Sequence, residues 1–492
     1  MTAPARVRLA QVTDVLRSAD LLRETRASGD VAVRGVCQDS RDVQPGDLFL
    51  AWQGTTSDAH DFVADAAARG AVASVVERSV AVSIPQLVVT NGRRAAALAA
   101  DVVMGSPSRE LLTFGVTGTN GKTTTALLIR HLMGPDVPTA VIGTLGLIDA
   151  EGVRPGSERL TTPGPVQVAV WLRELADGGM SAVVIEASSH ALAQHRLDAI
   201  AFDVVVFTNL SQDHLDYHAD LSEYLAAKAR LVDLASADAT VVVNGSDPAW
   251  QRLEPAGRTL RRYAIDGDAD VRAVNLELDA SGTRFTLLVG GEVRPVRSPL
   301  IGRFNVENAL AATTAALAAG VPLDDIVGRL ATAPQPKGRL EAVAAAPFTV
   351  LIDFAHTPAG LESALSAVKP LTSGRLIVVF GAGGDRDRAK RRPMAEAVRR
   401  VADLIVLTSD NPRTEDPERI LDDLAAGLAG VNYRRIADRH AAIEAALRAA
   451  RPGDTVVLTG KGHETYQVVG TTKHPFDERA IVAACLARLE GR

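Results

Sequence analysis

At 492 residues the chain is too long for one ordinary core, and its length points to about three domains. An apolar fraction of 47% with 23% charged residues excludes a disordered, fibrous or coiled-coil polypeptide. Its formal charge of −6, from 53 basic and 59 acidic residues, argues against nucleic acid as a bulk electrostatic partner.

Residues 1–8 lack the apolar core of a signal peptide and no later run reaches membrane-spanning length, so a cytoplasmic protein is expected. Up to residue 105, apolar runs at 47–51, 73–76 and 86–89 alternate with alanine-rich helical stretches, which predicts a small α/β unit. A polar loop containing Gln38 and Ser40 precedes the first run. Cys37 and Cys485 lie near opposite ends of the chain, form neither a disulfide framework nor a metal cluster, and read as core residues.

The stretch 111–125 organises the rest of the chain. An apolar run from Leu111 to Val116 predicts a buried strand, and Gly118, Asn120 and Gly121 turn the chain into a helix beginning near Lys122. Backbone N–H groups at such a turn, the positive end of the helix dipole and the Lys122 ammonium suit a polyanionic phosphate, and the Thr123 hydroxyl suits Mg²⁺. The standard phosphate-loop pattern has a glycine where this chain has Val116, between Gly115 and Gly118.

Within 106–340 the runs 181–186, 203–209 and 240–244 are rich in Val and Ile and turn polar only at their carboxyl ends. Such runs, alternating with helices, predict a parallel sheet covered on both faces, with ligands beyond the carboxyl ends of its strands. Alternation at 284–290, with turns at Ser281-Gly282 and Gly290-Gly291, predicts an antiparallel hairpin within 276–300; residues 302–308 open a helix and 334–338 read as a linker. Four more runs, at 350–353, 376–380, 404–407 and 455–458, each close on a polar motif, which predicts a third α/β domain over 341–492. Two ligand rims in one chain imply two substrates meeting across a cleft.

The rim of the middle domain gathers Glu186, Ser188, His190, Gln194, Arg196, Asn209, His214 and Lys228. Singly, each has a structural explanation, Lys228 for example being a solvated helix residue. Their common position after a phosphate loop favours nucleotide chemistry with Mg²⁺.

The motifs Thr117-Gly-Thr-Asn-Gly-Lys-Thr-Thr124, Glu186-Ala-Ser-Ser-His190, Asn209-Leu-Ser-Gln-Asp-His-Leu-Asp-Tyr-His218, Asn305-Val-Glu-Asn308, Asp353-Phe-Ala-His356 and Asp410-Asn-Pro-Arg413 occur in the order seen in Mur ligases. The chain resembles that family over essentially its whole length, and the altered phosphate loop is the family's own variant. The resemblance implies an α/β protein in which a central P-loop parallel-sheet ATPase domain (106–340) is flanked by an N-terminal UDP-binding domain (1–105) and a C-terminal Rossmann-like domain (341–492). It implies a monomeric, ADP-forming amide ligase of peptidoglycan precursor synthesis, acting through an acyl phosphate. Its substrates would be ATP, UDP-N-acetylmuramoyl-L-alanyl-D-glutamate and meso-diaminopimelate.

Carried over by position, Gly118, Thr119, Asn120, Gly121, Lys122, Thr123, Thr124, Asn305, Asn308, Arg339 and Asp353 would hold ATP. Thr123, Glu186, His214 and Lys228, the last as a carbamate, would form the Mg²⁺ site, with Lys122, Glu186, His214 and Lys228 catalytic. Gln38, Ser40, Thr161, Thr162, Ser188, Gln194 and Arg196 would hold the UDP-sugar peptide, with the loosest match at Gln38 and Ser40. Arg386, Asp410, Asn411, Pro412, Arg413, Gly460 and Glu464 would hold the incoming amino acid. The fork of Arg413, with Arg386 in reach, suits the distal carboxylate that diaminopimelate has and lysine lacks. The alternatives are the same ligase with L-lysine or L-ornithine, a folylpolyglutamate-type or D-alanyl-D-alanine-adding ligase, and a P-loop ATP switch protein. Asp410-Asn-Pro-Arg413 and the histidine-rich stretch after Asn209 argue against the other ligases, and a third domain with its own polar rim argues against the switch.

Overall fold

The computed structural model describes residues 7–26, 29–54, 57–156, 160–215, 217–279 and 282–490. Its first sheet runs in the order Leu22–Arg26, Gln86–Val89, Ala73–Val76, Asp47–Leu50, Gly35–Cys37, parallel except at the first pair. Helices Leu9–Ser18 and Gly92–Val103 bury their apolar stripes on one face and Val63–Ala68 on the other. Ala169, from helix Pro165–Asp177 of the next domain, joins the first of these cores and docks the two domains together.

The middle domain is built on an eleven-stranded sheet. Strand Leu112–Thr117 lies between Ala182–Glu186 and Phe202–Phe207, parallel to both. The chain leaves this strand toward one edge and later crosses to the other, so residues 118–121 emerge at a switch of direction, where α/β sheets form their ligand crevice. Helices Lys122–Met133 and Arg303–Ala318 cover one face, and Pro165–Asp177 and Leu221–Asp233 the other. Burial on both faces is why these strands read as unbroken Val/Ile runs.

The antiparallel addition is larger than the hairpin that sequence alternation predicts. Val271–Asp279, Gly282–Val289 and Glu292–Ser298 form a three-stranded meander, whose first strand joins the sheet by parallel pairing with Thr259–Ile265. The first strand begins at Val271, before the expected 276–300, and it is this earlier part that pairs with Thr259–Ile265. Of the two expected turns, Gly290-Gly291 is present with positive φ at both glycines, while Ser281 lies outside the described residues.

In the third sheet the order is Glu341–Ala344, Thr349–Asp353, Thr455–Thr459, Leu376–Phe380, Leu404–Leu407, Tyr433–Arg435, parallel except at the first pair. The four apolar runs are the inner strands. The edge strands Glu341–Ala344 and Tyr433–Arg435 are half-buried or exposed and carry no such run. Phe304, at the start of helix Arg303–Ala318, packs against the third domain's core and joins it to the second. Among the described residues no helix is long and apolar enough to cross a membrane, and Cys37 and Cys485 are free and buried.

Candidate active site

The phosphate loop is shaped by its neighbours. At Gly118 (φ +143°) a Cβ would stand 1.8 Å from Thr208 Oγ1, and at Gly121 (φ +87°) one would stand 2.3 Å from Asn308 Oδ1, so both positions require glycine. Thr208 Oγ1 donates to the Asn120 carbonyl at 2.7 Å, and Asn209 Oδ1 accepts from Asn120 N at 3.0 Å. From the far side, Asn308 accepts from Thr125 Oγ1 at 3.3 Å and donates to Asn305 Oδ1 at 3.2 Å. Half-buried Lys122 donates to the carbonyls of Gly118 and Thr119, both at 2.9 Å, and burial depresses its pKa despite Glu186. Thr119 and Thr124 are buried beside it.

Glu186 ends its strand with 1% of its surface exposed. Its carboxylate accepts from Thr123 Oγ1 at 2.9 Å and from Thr144 N and Oγ1, both at 3.0 Å. Arg339 donates to Thr123 Oγ1 at 3.3 Å and stacks on Phe354, 4.8 Å from the ring centre. Asp353 holds that arm in place by accepting from Leu340 N and Ala355 N, each at 2.7 Å; burial raises its pKa against the pull of Arg339. His214 takes a left-handed backbone (φ +56°) and packs edge-on to His190, 4.8 Å between ring centres. Burial lowers its pKa to about 3, leaving a neutral imidazole with a free lone pair.

Lys228 is not a solvated helix residue. It is 1% exposed, donates to the Gly118 carbonyl at 2.8 Å and lies 4.3 Å over the Tyr224 ring. Burial, reinforced by Lys122, drives its pKa well below that of an ordinary lysine. The cleft itself is lined by Thr123, Glu186 and His214 but not by Lys228 in this form. Among the described residues no three His, Cys, Asp or Glu side chains group to hold a metal. A carboxylate and a hydroxyl side by side nevertheless suit Mg²⁺, which uses one or two protein carboxylates together with substrate phosphates and waters.

A cavity of about 130 Å³ between the first two domains is lined by Gln38, Gln194 and Arg196 together with Trp52 and Arg93. Ser40 is outside that lining, at the start of the short turn Ser40–Asp42. Arg196 donates to the Thr162 carbonyl at 2.7 Å and to Gln194 Oε1 at 2.6 Å. Thr162 Oγ1 in turn donates to the Glu186 carbonyl at 2.5 Å and accepts from Ser188 Oγ at 3.0 Å, while Ser188 caps helix Ser189–Ala193. Thr161 lines the main cleft, so residues 161–162 join the small cavity to the phosphate loop.

That main cleft, about 480 Å³, is bounded on one side by the phosphate loop and on the other by Arg386, Asp410, Asn411, Arg413, Gly460 and Glu464 of the third domain. The two rims therefore face one space. Asn411 sits at a hub: its amide donates to Glu464 Oε2 at 2.9 Å and accepts from Lys461 Nζ and Val468 N, each at 2.9 Å. Burial would raise Asp410, yet Lys461 and Arg439 bring its pKa below the ordinary value. Arg413 is depressed by burial and by Arg386, and favoured by Asp410, Glu464 and Asp385. Arg386 and Arg413 thus share one wall with Lys390, Lys473 and the carboxylates of Asp410 and Glu464. Pro412 is buried between Asn411 and Arg413 and directs that loop.

Sequence reasoning missed several residues of this cleft. Lys461 is fully buried beside Asp410 and Glu464; Lys390 crosses from the third domain to Asp213 of the second at 3.5 Å. Thr144 supports Glu186, and Trp52 and Arg93 line the small cavity. Asp213 stood inside the stretch Asn209–His218, and Lys461 between Gly460 and Glu464, all of them already singled out. Thr144, Trp52 and Arg93 carry no local signal.

Three family profiles match the chain: Mur ligase family, catalytic domain, over residues 32–109; Mur ligase middle domain over 116–316; and Mur ligase, glutamate ligase domain, over 338–462. The chain is 42% identical over 490 residues to UDP-N-acetylmuramoyl-L-alanyl-D-glutamate–2,6-diaminopimelate ligase of Synechococcus elongatus, covering 95% of this chain and 96% of that one. It is 41% identical over 478 residues to the protein of the same name from Gloeobacter violaceus, covering 95% and 97%. A solved structure of a ligase of that name superposes with a TM-score of 0.69 at 33% identity, over 99% of this chain and 100% of the other. Folylpolyglutamate synthase of Mycobacterium tuberculosis, complexed with ADP, shares the fold at a TM-score of 0.64 and 23% identity, over 80% of this chain and 94% of its own.

Proposed function

The chain belongs to the Mur ligase family, and from that membership we propose that it joins meso-diaminopimelate to UDP-N-acetylmuramoyl-L-alanyl-D-glutamate at the expense of ATP. The observation that carries the choice of amino acid is that two guanidiniums, Arg386 and Arg413, line one wall of the cleft beside Asp410 and Glu464, whose own ion-pair partner is Lys461. An end group bearing both an amine and a carboxylate satisfies both signs. Lysine or ornithine would satisfy only the acids. The names of relatives about 40% identical over nearly the whole chain support the same reading.

The reaction follows from the order of groups along the cleft. Lys122 and the N–H groups of 118–123 hold the β- and γ-phosphates of ATP, with Asn305, Asn308, Arg339 and Asp353 supporting the nucleotide. Gln38, Gln194, Arg196, Ser188, Thr161 and Thr162 hold the UDP-sugar peptide so that its free carboxylate reaches the γ-phosphoryl group. The phosphoryl group moves to a carboxylate oxygen, giving ADP and an acyl phosphate. The neutral amine nitrogen of diaminopimelate then attacks the acyl carbon; the C–N bond forms, the C–O bond to phosphate breaks, and the amine proton leaves to solvent with the departing phosphate. Mg²⁺, held by Thr123, Glu186 and His214, would neutralise charge on the transferring phosphoryl oxygens. The same family membership supports a cytoplasmic enzyme acting as a monomer, with domains at 1–105, 106–340 and 341–492.

Lys228 fits this scheme as a carbamate. Burial favours its neutral amine, the form that attacks CO₂, and the product is an anion where an ammonium would repel Mg²⁺. Lys228→Ala is expected to be inactive and partly rescued by acetate; full activity without rescue rejects the carbamate.

The deciding experiment supplies ATP, the UDP-muramoyl dipeptide and a panel of amino acids, and reads product mass and phosphate release. A charged hydrogen bond is worth about 1.5–3 kcal/mol and a stranded buried charge costs about 3–5, so meso-diaminopimelate should exceed L-lysine in kcat/KM by roughly tenfold to a thousandfold. Arg413→Ala should collapse that ratio. A wild type that prefers lysine overturns the assignment.

A further inference from the structure

The loops that carry Arg386 and Arg413 leave adjacent strands, Leu376–Phe380 and Leu404–Leu407, and both are bent tightly. Asp385 and Arg413 each adopt a left-handed backbone, φ +53° and +52°, without being glycine. A Cβ at Gly384 would stand 1.9 Å from the Pro412 carbonyl, so the loops touch backbone to backbone, and Gly384 N donates to the Asn411 carbonyl at 2.9 Å. Two adjacent guanidiniums repel, and a conformation this restricted persists only where its surroundings hold it.

The surroundings are a reciprocal stitch. Asp385 accepts from Thr414 N at 3.1 Å and from Thr414 Oγ1 at 2.9 Å. In return Glu415 Oε1 accepts from Asp385 N at 2.6 Å. Behind them Arg391, 1% exposed, donates to Glu415 Oε1 and to Asp423 Oδ2, both at 2.8 Å. Arg391 is absent from the lining of the cleft, so it touches no substrate there. Its two ion pairs fix Glu415, Glu415 fixes Asp385, and Asp385 holds the loops on which Arg386 and Arg413 ride. Arg413 Nη1 closes the circuit by donating to the Gly384 carbonyl at 2.7 Å.

We propose that Arg391, Glu415 and Asp385 are positioning residues that set the separation of the Arg386–Arg413 fork and thereby the enzyme's selectivity for an amino acid with a distal carboxylate. The inference rests on the diaminopimelate reading. A fork held at fixed spacing accepts a carboxylate bidentately, whereas a slack one accepts it weakly and loses discrimination against amines.

The test is Glu415→Gln in the full chain, assayed with each substrate varied in turn. The expected result is a tenfold or greater rise in KM for meso-diaminopimelate, with KM for ATP and for the UDP-muramoyl dipeptide within twofold of wild type. The kcat/KM ratio of meso-diaminopimelate over L-lysine should fall by a similar factor. A role in folding alone would lower the melting temperature and leave both the KM pattern and the ratio untouched, and that outcome overturns the proposal. Should Glu415→Gln not fold, Asp385→Asn and Thr414→Val on the exposed side of the stitch test the proposal by the same ratio. The wild-type ratio separates the two ideas: a wild type that favours lysine defeats the diaminopimelate assignment, whereas a wild type that favours diaminopimelate with unchanged variants defeats only the stitch.

Discussion

Lys122 spends its hydrogen bonds on the carbonyls of Gly118 and Thr119, which keeps a depressed, half-buried ammonium beside the loop amides. Lys228 faces the Gly118 carbonyl from the opposite side, so one carbonyl joins two lysines of different fate. Cationic contacts to a transferring phosphoryl group supply several kcal/mol, so Lys122→Ala is expected to lower turnover about a thousandfold or more while circular dichroism stays that of wild type. Near-normal phosphate release by that variant would remove the loop from the chemistry. Gly118→Ala probes geometry instead of charge. Its methyl would overlap Thr208 Oγ1 at 1.8 Å, so phosphate release should be lost even though Lys122 is retained. Near-normal phosphate release by Gly118→Ala would show that the loop tolerates a Cβ there.

Between elements, the loop at 410–413 and the hairpin Tyr466–Val469/Thr472–Pro475 behave as one unit. Arg413 N donates to the Val468 carbonyl at 3.1 Å, Gly470 N to the Arg413 carbonyl at 2.7 Å, and Val468 N to Asn411 Oδ1 at 2.9 Å. The hairpin has no sheet of its own to join, and a two-stranded ribbon is marginal in water. Asn411 therefore anchors it. Asn411→Leu leaves the Val468 N–H without its acceptor, at about 1–3 kcal/mol, and takes one acceptor from the buried Lys461 ammonium, which keeps Glu464. Calorimetry should show a lower melting temperature, and hydrogen exchange at 466–475 should quicken; unchanged exchange there would mean that the hairpin is held by other contacts.

At the scale of the molecule the second and third domains meet across the cleft through few polar contacts. Lys390 and Asp213, each less than a tenth exposed, form one of them at 3.5 Å, with His356 4.0 Å from the same carboxylate. Burial would raise Asp213, but the Lys390 ammonium and the His214 backbone N–H bring it below the ordinary carboxylate range. Removing Lys390 strands that charge, so Lys390→Met should open the domains and enlarge the radius of gyration measured by small-angle scattering; an identical scattering curve would deny the pair any part in closure. Acid should act on the whole chain as well. Burial holds His463 at about 4 and also depresses His356, so both stay neutral in the fold while the unfolded chain takes up protons from about pH 6.5 downward. Their folded pKa lies below the unfolded one, so stability is complete above about pH 6.5 and falls on the way to pH 4. The depressed carboxylates Asp213 and Asp410 add their losses only at lower pH, where raised Asp353 acts in the opposite sense. The melting temperature should therefore drop between about pH 6.5 and 5, and His463→Asn should flatten the slope; a flat wild-type profile would contradict the buried neutral histidines.

The sequence by itself determined the family, the α/β class, the inner strands of the first and third sheets, the central strands of the middle one and the turn at 118–121. These are local properties: a strand buried on both faces needs an apolar run, and a loop pressed against its neighbours needs glycine where a Cβ would collide. Edge strands such as Tyr433–Arg435 escaped because exposure on one side removes the run. Only the tertiary structure decided that Lys228 is buried, that Lys461 joins Asp410 to Glu464, and that Trp52 and Arg93 share a cavity with Gln194 and Arg196. Lys390 and Asp213 stand 177 residues apart in the chain. Pattern along a chain reports how each segment is buried and bent, whereas the partner of a charged side chain depends on which distant segment the packing of the sheets and domains brings beside it.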